Sequence, residues 1–395
     1  MVTPVCVVSN AYPDFEGSSH GIFVRRSAED MAAKGYFSHL VVPRIFKDSL
    51  PFEQFSGHSV RRFRFPSAQK LLIEYRSLPV FRFSVLLAAG TLAAVRTIRR
   101  RGCLLVHAHW AVPAGLIALA AARLSGRPLV VTVHGSDYRL ACTRGGLTGF
   151  AFNRVVNAAE RVVSVSGQIT EYLTGQAGVP ESSVVTCPMG ADESIFNIHA
   201  RAEPLFDQGF TVISTRAHLP HYRLADLLEA ASLAVRRLPE LRLVILGEGT
   251  ETGALKELAR RLGLDENRVA FIGRVEPGKL AGLLTAAGAY VSTSPVEGTS
   301  VSLLEAMACG ALPVVADIPS NRAWVDHGEN GLLFPPADTA ALAEALVRAG
   351  RDRDLRGKAR ARGPEIVAGC GGLWSQQVET LDAIYRELLP LGAGP

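Results

Sequence analysis

The stretch Ala289–Ala316, AYVSTSPVEGTSVSLLEAMACGALPVVA, reads as a strand, a loop, a helix and a second strand. Ala289–Ser292 and Leu312–Ala316 are apolar runs of strand length, and Ser302–Ala308 has the composition of a helix that stops at Gly310. Glu297 falls in the Pro/Gly/Ser/Thr loop and Glu305 in the first turns of the helix. Both are expected to face one crevice at the carboxyl end of a parallel strand, where open α/β sheets bind ligands. The loop Glu297-Gly298-Thr299-Ser300 would aim backbone N–H groups and two hydroxyls at an anion, and the helix dipole adds to that attraction. Carboxylates repel a phosphate, so the task expected of the two acids is to accept hydrogen bonds from hydroxyls. A ligand with phosphates in the middle and hydroxyls on either side is a nucleotide sugar.

The spacing Glu297-x7-Glu305, continued as LLEAMACG and PVVA, resembles the signature of the retaining family 4 glycosyltransferases, which have the GT-B fold. The resemblance implies an α/β protein of two Rossmann-like parallel-sheet domains facing across a cleft. It covers most of the chain and is strongest from Val269 to Asp338, weakest from Pro43 to Arg101. An isolated pair of acids would read as a solvated loop residue and a dipole-compensating helix residue; the flanking text argues against that here.

The bulk numbers fit this frame. A chain of 395 residues is long for one core and comfortable for two, and 48% hydrophobic with 20% charged residues describes a globular protein. Met1–Asn10 lacks a basic region and a cleavage site, so it reads as a first strand. Phe83–Val95, the longest nearly uncharged run, is too short to span a bilayer. The six cysteines contain no C-x-x-C pair, which points to reduced thiols in a cytoplasmic protein and to no metal site. The net charge of +5 is uneven: ten Lys/Arg against the single acid Glu74 give Arg61–Arg101 a charge of +9, leaving −4 elsewhere.

In the first half, the strand Val5–Ser9 leads into the loop Asn10–Gly21, where the resemblance assigns Gly17 and Gly21 to the donor's phosphates and sugar. That loop reads GSSHG, and no G-x-G-x-x-G is present to support a dinucleotide-binding enzyme. Arg61, Arg62, Arg64, Arg76 and Arg82 are interleaved with Phe63, Phe65, Leu71, Leu72, Ile73, Tyr75, Phe81 and Phe83, a pattern suited to an anionic membrane surface. Arg96, Arg99, Arg100 and Arg101 also suit the C-terminal dipole of the next helix. Nucleic acid is disfavoured because no recognised binding motif accompanies the charge. Strands at Leu104–Val106 and Leu129–Val133 are expected to end in the polar turns His107-Ala108-His109-Trp110 and His134-Gly135-Ser136-Asp137. His107 and His109 lack a third ligand at metal-binding spacing. The segment VVTVHGSDY resembles the family closely, which implies that His134 lies beside the donor sugar.

CPMGADESIF resembles the turn that ends the family's first domain, with Met189 in place of Asn, and a linker is expected around His199–Asp207. A second set of strands and helices begins at Phe210. The expected domains are 1–200 on the acceptor side, 208–372 on the nucleotide-sugar side, and a C-terminal helix, 373–395, crossing back. The resemblance sets Arg216, and Arg223 where a Lys would stand, against the donor diphosphate, and Arg216 fits as a bidentate phosphate ligand. Arg274 and Val275 fall where backbone groups would read the nucleobase.

The implied activity is retaining transfer of a hexose from a nucleoside-diphosphate sugar to a hydroxyl acceptor, a lipid-linked or polysaccharide glycan of the cell envelope. It needs no metal or cofactor and is placed in the cytoplasm, peripheral on the inner face of the membrane. Glu297, His134 and Arg216 would act at the reacting centre, with Glu305, Arg223, Gly298, Thr299, Ser300, Val301, Arg274, Val275, Gly17 and Gly21 on the donor. The alternatives are an epimerase or phosphorylase on the same fold, and a non-catalytic nucleotide-sugar or lipid-binding module.

Overall fold

Uninterrupted apolar runs rich in Val, Ile and Leu are suited to central strands of parallel sheets, where both faces are covered. The computed structural model, which describes residues 2–15, 18, 20–67, 69–70, 79–144, 146–206 and 208–389, arranges such runs into two sheets. The first contains β1 (Thr3–Ser9), β2 (Tyr36–Pro43), β3 (Phe52–Gln54), β4 (His58–Phe63), β5 (Leu105–His109), β6 (Leu129–Val133), β7 (Arg161–Ser164) and β8 (Val184–Thr186). Their order is β3-β4-β2-β1-β5-β6-β7-β8, parallel throughout except for the short antiparallel edge strand β3. The second contains β9 (Phe210–Ser214), β10 (Leu241–Leu246), β11 (Val269–Gly273), β12 (Ala289–Ser292), β13 (Leu312–Ala316) and β14 (Leu332–Phe334), all parallel in the order β11-β10-β9-β12-β13-β14.

The chain divides into Met1–Cys187 with Val378–Pro395, and Pro188–Gln377. The first division precedes the interrupted stretch around Pro204 because Ala191 and Phe196 are buried in the core of the second unit. The helix Trp374–Leu388 carries the chain from the second unit back into the first. In the second unit, residues alternate between two apolar layers. Val212, Leu243, Ile245 and Val291 face one, and Ile213, Val244, Leu246 and Tyr290 the other. β9 has β10 on one side and β12 on the other, so the strand order reverses between β9 and β12, and the carboxyl ends of strands at such a reversal are where open α/β sheets bind ligands.

Two sequence expectations for the first unit are corrected. β5 runs on through His107 and His109, which are buried strand residues rather than members of a polar turn, because each imidazole finds partners inside. Arg62 is not available to a membrane: it is buried, ion-paired with Glu53, and donates to the carbonyls of Leu50 and Pro13 at 2.8 and 2.6 Å. Residues 71–78 of the same basic segment lie outside the described residues. The helices α1 (Ile22–Ala33), α2 (Val80–Arg101) and α3 (Ala114–Ser125) cover this sheet in part. α2, at 22 residues, is the one described helix long and apolar enough to cross a membrane, but it buries a stripe, Leu86, Gly90, Ala94 and Ile98, at helical spacing. Its first turn exposes Val80 and Phe81.

Candidate active site

The turn that follows β9 carries Thr215, Arg216, Ala217 and His218, and its position is set by its neighbours after β10 and β11. His218 N–H donates to the Glu248 carbonyl at 3.1 Å, and Gly247 N–H donates to the Gly273 carbonyl at 2.8 Å. Gly249 is required for this contact: a Cβ there would stand 2.3 Å from the His218 carbonyl oxygen. Three consecutive strand ends are thereby tied into one platform.

Arg216 rises from that platform and is only 7% exposed. Its Nε donates to Ser292 Oγ at 3.2 Å, and its Nη2 donates to Ser300 Oγ at 2.5 Å. Nη2 also lies 2.5 Å from Glu297 Oε1. The guanidinium carbon stands 5.2 Å from the centre of the Tyr222 ring, which favours a cation over its face. Burial opposes the charge, but Tyr290, Glu297, Tyr222 and Glu305 together outweigh it and raise the Arg216 pKa above its usual value. The residue is a fixed cation.

The β12 loop reaches the same crevice. Thr293 Oγ1 donates to the Tyr222 carbonyl at 2.7 Å and Ser294 Oγ to the Val296 carbonyl at 3.0 Å, pinning the loop at both ends of its first turn. Ser300 is the N-cap of the helix Val301–Ala308; its Oγ accepts from Leu303 N–H at 3.3 Å as well as from Arg216. One hydroxyl therefore joins the cation to the helix N-terminus, whose first N–H groups have no partner within the helix. Glu305, half-buried in that helix, contributes to the field at Arg216. Gly298, Thr299 and Val301 line the approach as half-buried residues. Beneath them the hydroxyls of Ser214, Thr215 and Tyr290 are buried without a well-formed hydrogen bond.

Of the other expected residues, Arg223 and Arg274 follow β9 and β11 in the second unit, and His134 and Gly21 belong to the first. Arg223 caps the helix Leu224–Ala234 with a left-handed backbone, φ 52°, and is held by Asp226 through Nε and Nη2 at 2.7 and 3.1 Å. Arg274 is exposed and faces Glu248 at 3.8 Å, with half-buried Val275 beside it. In the first unit, His134 starts the helix Gly135–Arg144, where a polar turn was expected, and is 8% exposed. Its Nε2 is 3.2 Å from His109 Nδ1, and the rings of Trp110 and Phe23 lie 4.7 and 5.0 Å away. Burial, reinforced by His109, holds the His134 imidazole well below its usual pKa and therefore neutral. Behind it, His107 bonds Tyr385 OH at 2.7 Å and Thr132 Oγ1 at 2.8 Å. Asp137 accepts from the N–H groups of Ala111 and Tyr138 at 2.7 and 3.1 Å. Even so, burial raises its pKa to about 7. Gly21 has φ 69°, and a Cβ on it would meet the Ala11 carbonyl carbon at 2.6 Å, so its glycine is demanded by the loop itself. Gly17 lies outside the described residues.

Ser292, Tyr222 and Tyr290 were not singled out by sequence, and Gly249 reads there only as part of the turn Gly247-Glu248-Gly249 that ends a strand. A polar residue closing an apolar strand was the signal available for Ser292; Tyr222 meets Arg216, a near neighbour in the chain, without any periodic signature, and Tyr290 and Gly249 meet partners that are distant in it.

A fixed cation, a helix N-terminus and two carboxylates sharing one crevice can hold an anion and hydroxyl groups together. Residues 21–195 match the family described as Glycosyltransferase Family 4, and residues 196–365 match Glycosyl transferases group 1. D-inositol 3-phosphate glycosyltransferase 1 of Catenulispora acidiphila is 30% identical over 316 residues, 73% of this chain and 73% of its own. N-acetyl-alpha-D-glucosaminyl L-malate synthase of Bacillus anthracis is 22% identical over 90% of both chains. Among solved structures, sucrose-phosphate synthase from Thermosynechococcus elongatus superposes with a TM-score of 0.78 at 21% identity, covering 98% of this chain and 99% of that one. Anabaena HepE in complex with UDP gives 0.73 at 18% identity, covering 98% and 100%. These two likenesses show the fold.

Proposed function

The chain belongs to the group 1 glycosyltransferases of GT-B fold, and from that premise we propose that it moves a sugar from a nucleoside-diphosphate sugar to a hydroxyl acceptor with retention at the anomeric carbon. The observation that carries the reading is the meeting of Arg216, Ser300, Glu297 and the helix Val301–Ala308 at the strand-order reversal. The difficulty in such a reaction is a departing diphosphate and a sugar passing through an oxocarbenium-like state. Preorganised donors stabilise the leaving charge without a proton transfer from the protein. Arg216 and the N–H groups of Gly298–Val301 supply them, with Arg223 joining if it exchanges Asp226 for phosphate. Glu305 holds the ribose, and Glu297 the hydroxyls of the donor sugar, orienting the anomeric carbon. Neutral His134 offers a hydrogen bond to the sugar, and Arg274 and Val275 lie by the base.

In this scheme the bond from C1 to the diphosphate oxygen breaks, and a bond from C1 to the acceptor oxygen forms on the same face. The acceptor proton leaves with the diphosphate. No enzyme nucleophile is assigned. Charge neutralisation by these groups calls for no metal, so a chelator should leave the rate unchanged. The acceptor class proposed is a lipid-linked or polysaccharide glycan, taken by the first unit.

The test is a panel of UDP-, GDP- and ADP-sugars offered with candidate acceptors, UDP-sugars first because HepE was solved with UDP. Release of the nucleoside diphosphate only with acceptor present, and an α or β product matching the donor, is the expected result. A sugar altered without acceptor would instead mean an epimerase, and binding without turnover a non-catalytic module.

A second reading concerns location: a cytoplasmic enzyme resting on an anionic membrane face. It is favoured by exposed Val80, Phe81 and Leu92 on α2 together with exposed Arg64 and Lys70.

A further inference from the structure

Arg216 and Glu297 are assigned to different parts of the donor, yet in the free protein they touch, Nη2 to Oε1 at 2.5 Å. The guanidinium is heavily engaged. Nε is given to Ser292, and Nη2 is shared between Ser300 and Glu297. Glu297 Oε1 has no well-formed hydrogen bond, so the acid is held by charge. Its side chain is only 12% exposed, which weakens solvent screening of the pair.

A guanidinium grips a phosphate best through two parallel N–H groups on neighbouring nitrogens. The Nε edge is turned to Ser292 and Ser300, two residues that belong to the strand end and the helix cap. The edge that remains joins Nη1 to Nη2 and includes the contact that Glu297 holds. A bidentate phosphate therefore has to displace the carboxylate. Once displaced, Glu297 has lost its cation and has its oxygens free for hydroxyl donors.

We infer that the Arg216–Glu297 pair is a specificity device: Glu297 is withheld from sugar hydroxyls until a diphosphate takes Arg216, so sugar recognition is conditional on the nucleotide. The inference rests on the nucleotide-sugar reading above. Its consequence is counter to the usual effect of deleting a binding residue, because Glu297 competes with the nucleotide in the free protein.

The experiment is calorimetric titration of UDP, GDP and ADP into the full chain, its Glu297→Gln and Glu297→Ala variants, Arg216→Ala, and the Arg216→Ala/Glu297→Gln double variant. Loss of one charged competitor should tighten nucleotide binding by about tenfold in both Glu297 variants. With Arg216 absent, Glu297→Gln should change affinity by less than about threefold, the difference being the coupling between the two residues. Unchanged or weaker binding in both Glu297 variants overturns the proposal. An equal gain with and without Arg216 also overturns it, since simple repulsion would then suffice. If none of the three nucleotides binds the unaltered protein, the nucleotide-sugar reading falls, and this inference falls with it.

Discussion

At the scale of single residues, the candidate site is a question of which charges are fixed. Arg216 keeps its charge, and Ser292 at Nε together with Ser300 and Glu297 at Nη2 hold it in place. Arg216→Ala should lower turnover by roughly 10² to 10³, the size expected for one lost transition-state donor. Glu297→Ala should abolish transfer while the chain still folds, with a lowered thermal midpoint because buried Arg216 loses its ion-pair partner; unchanged turnover would remove it from the mechanism. The buried titratable groups of the first unit make a different prediction. Burial pushes His109 down to about 4, whereas in the unfolded chain a histidine titrates near 6.5. Between those values the unfolded state binds a proton that the folded state refuses, so stability from His109 rises with pH across that window. Asp137 acts in reverse. Its pKa of about 7 lies above the unfolded carboxylate value, so its contribution is lost as pH rises toward 7. In urea denaturation at pH steps from about 4.5 to 7, His109→Asn should flatten the rise in stability and Asp137→Asn should steepen it. The opposite pair of slopes would contradict these buried environments.

At the scale of elements, three strand ends and one helix cap make the site. The turn after β9 is held by the turn after β10, and Gly249 is where the two backbones meet. Gly249→Ala would overpack that contact and should cost about 1–3 kcal/mol of stability. It should also depress turnover more than tenfold by shifting Arg216, an expectation in line with catalytic losses from small displacements. A thermal shift without loss of activity would show that the platform does not position Arg216. Ser300→Ala removes an N-cap, worth typically about 1 kcal/mol, and one of the hydrogen bonds to Arg216. The helix itself was legible from composition as Ser302–Ala308; its start one residue earlier and its Ser300 cap came only from the structure. The cap's link to Arg216, 84 positions away, was not legible either, because a hydrogen bond between distant segments leaves no periodic trace.

At the scale of the whole molecule, the charge asymmetry of the chain is sorted by the fold. Arg62, counted with the basic segment, is a buried structural residue; Arg64, Lys70 and Arg99–Arg101 remain exposed. Liposome co-sedimentation should therefore increase with anionic lipid and fall when Arg64 and Lys70 are replaced by Ala. Arg62→Ala should instead lower the unfolding midpoint, because it leaves Glu53 and two carbonyls without their donor. Binding that is equal on neutral and anionic vesicles would remove the membrane reading.

The sequence by itself carried the fold class, through strand-length apolar runs alternating with helices and through the family resemblance that implied two Rossmann-like domains, and the E-x7-E text pointed to a crevice at the carboxyl end of a parallel strand as the candidate site. Only the tertiary structure decided that Arg216 and Glu297 hold each other, that Arg223 is taken by Asp226, and that His107 and His109 are interior. The physical reason is that partner choice depends on distances between residues far apart in the chain, whereas periodicity reports only on neighbours.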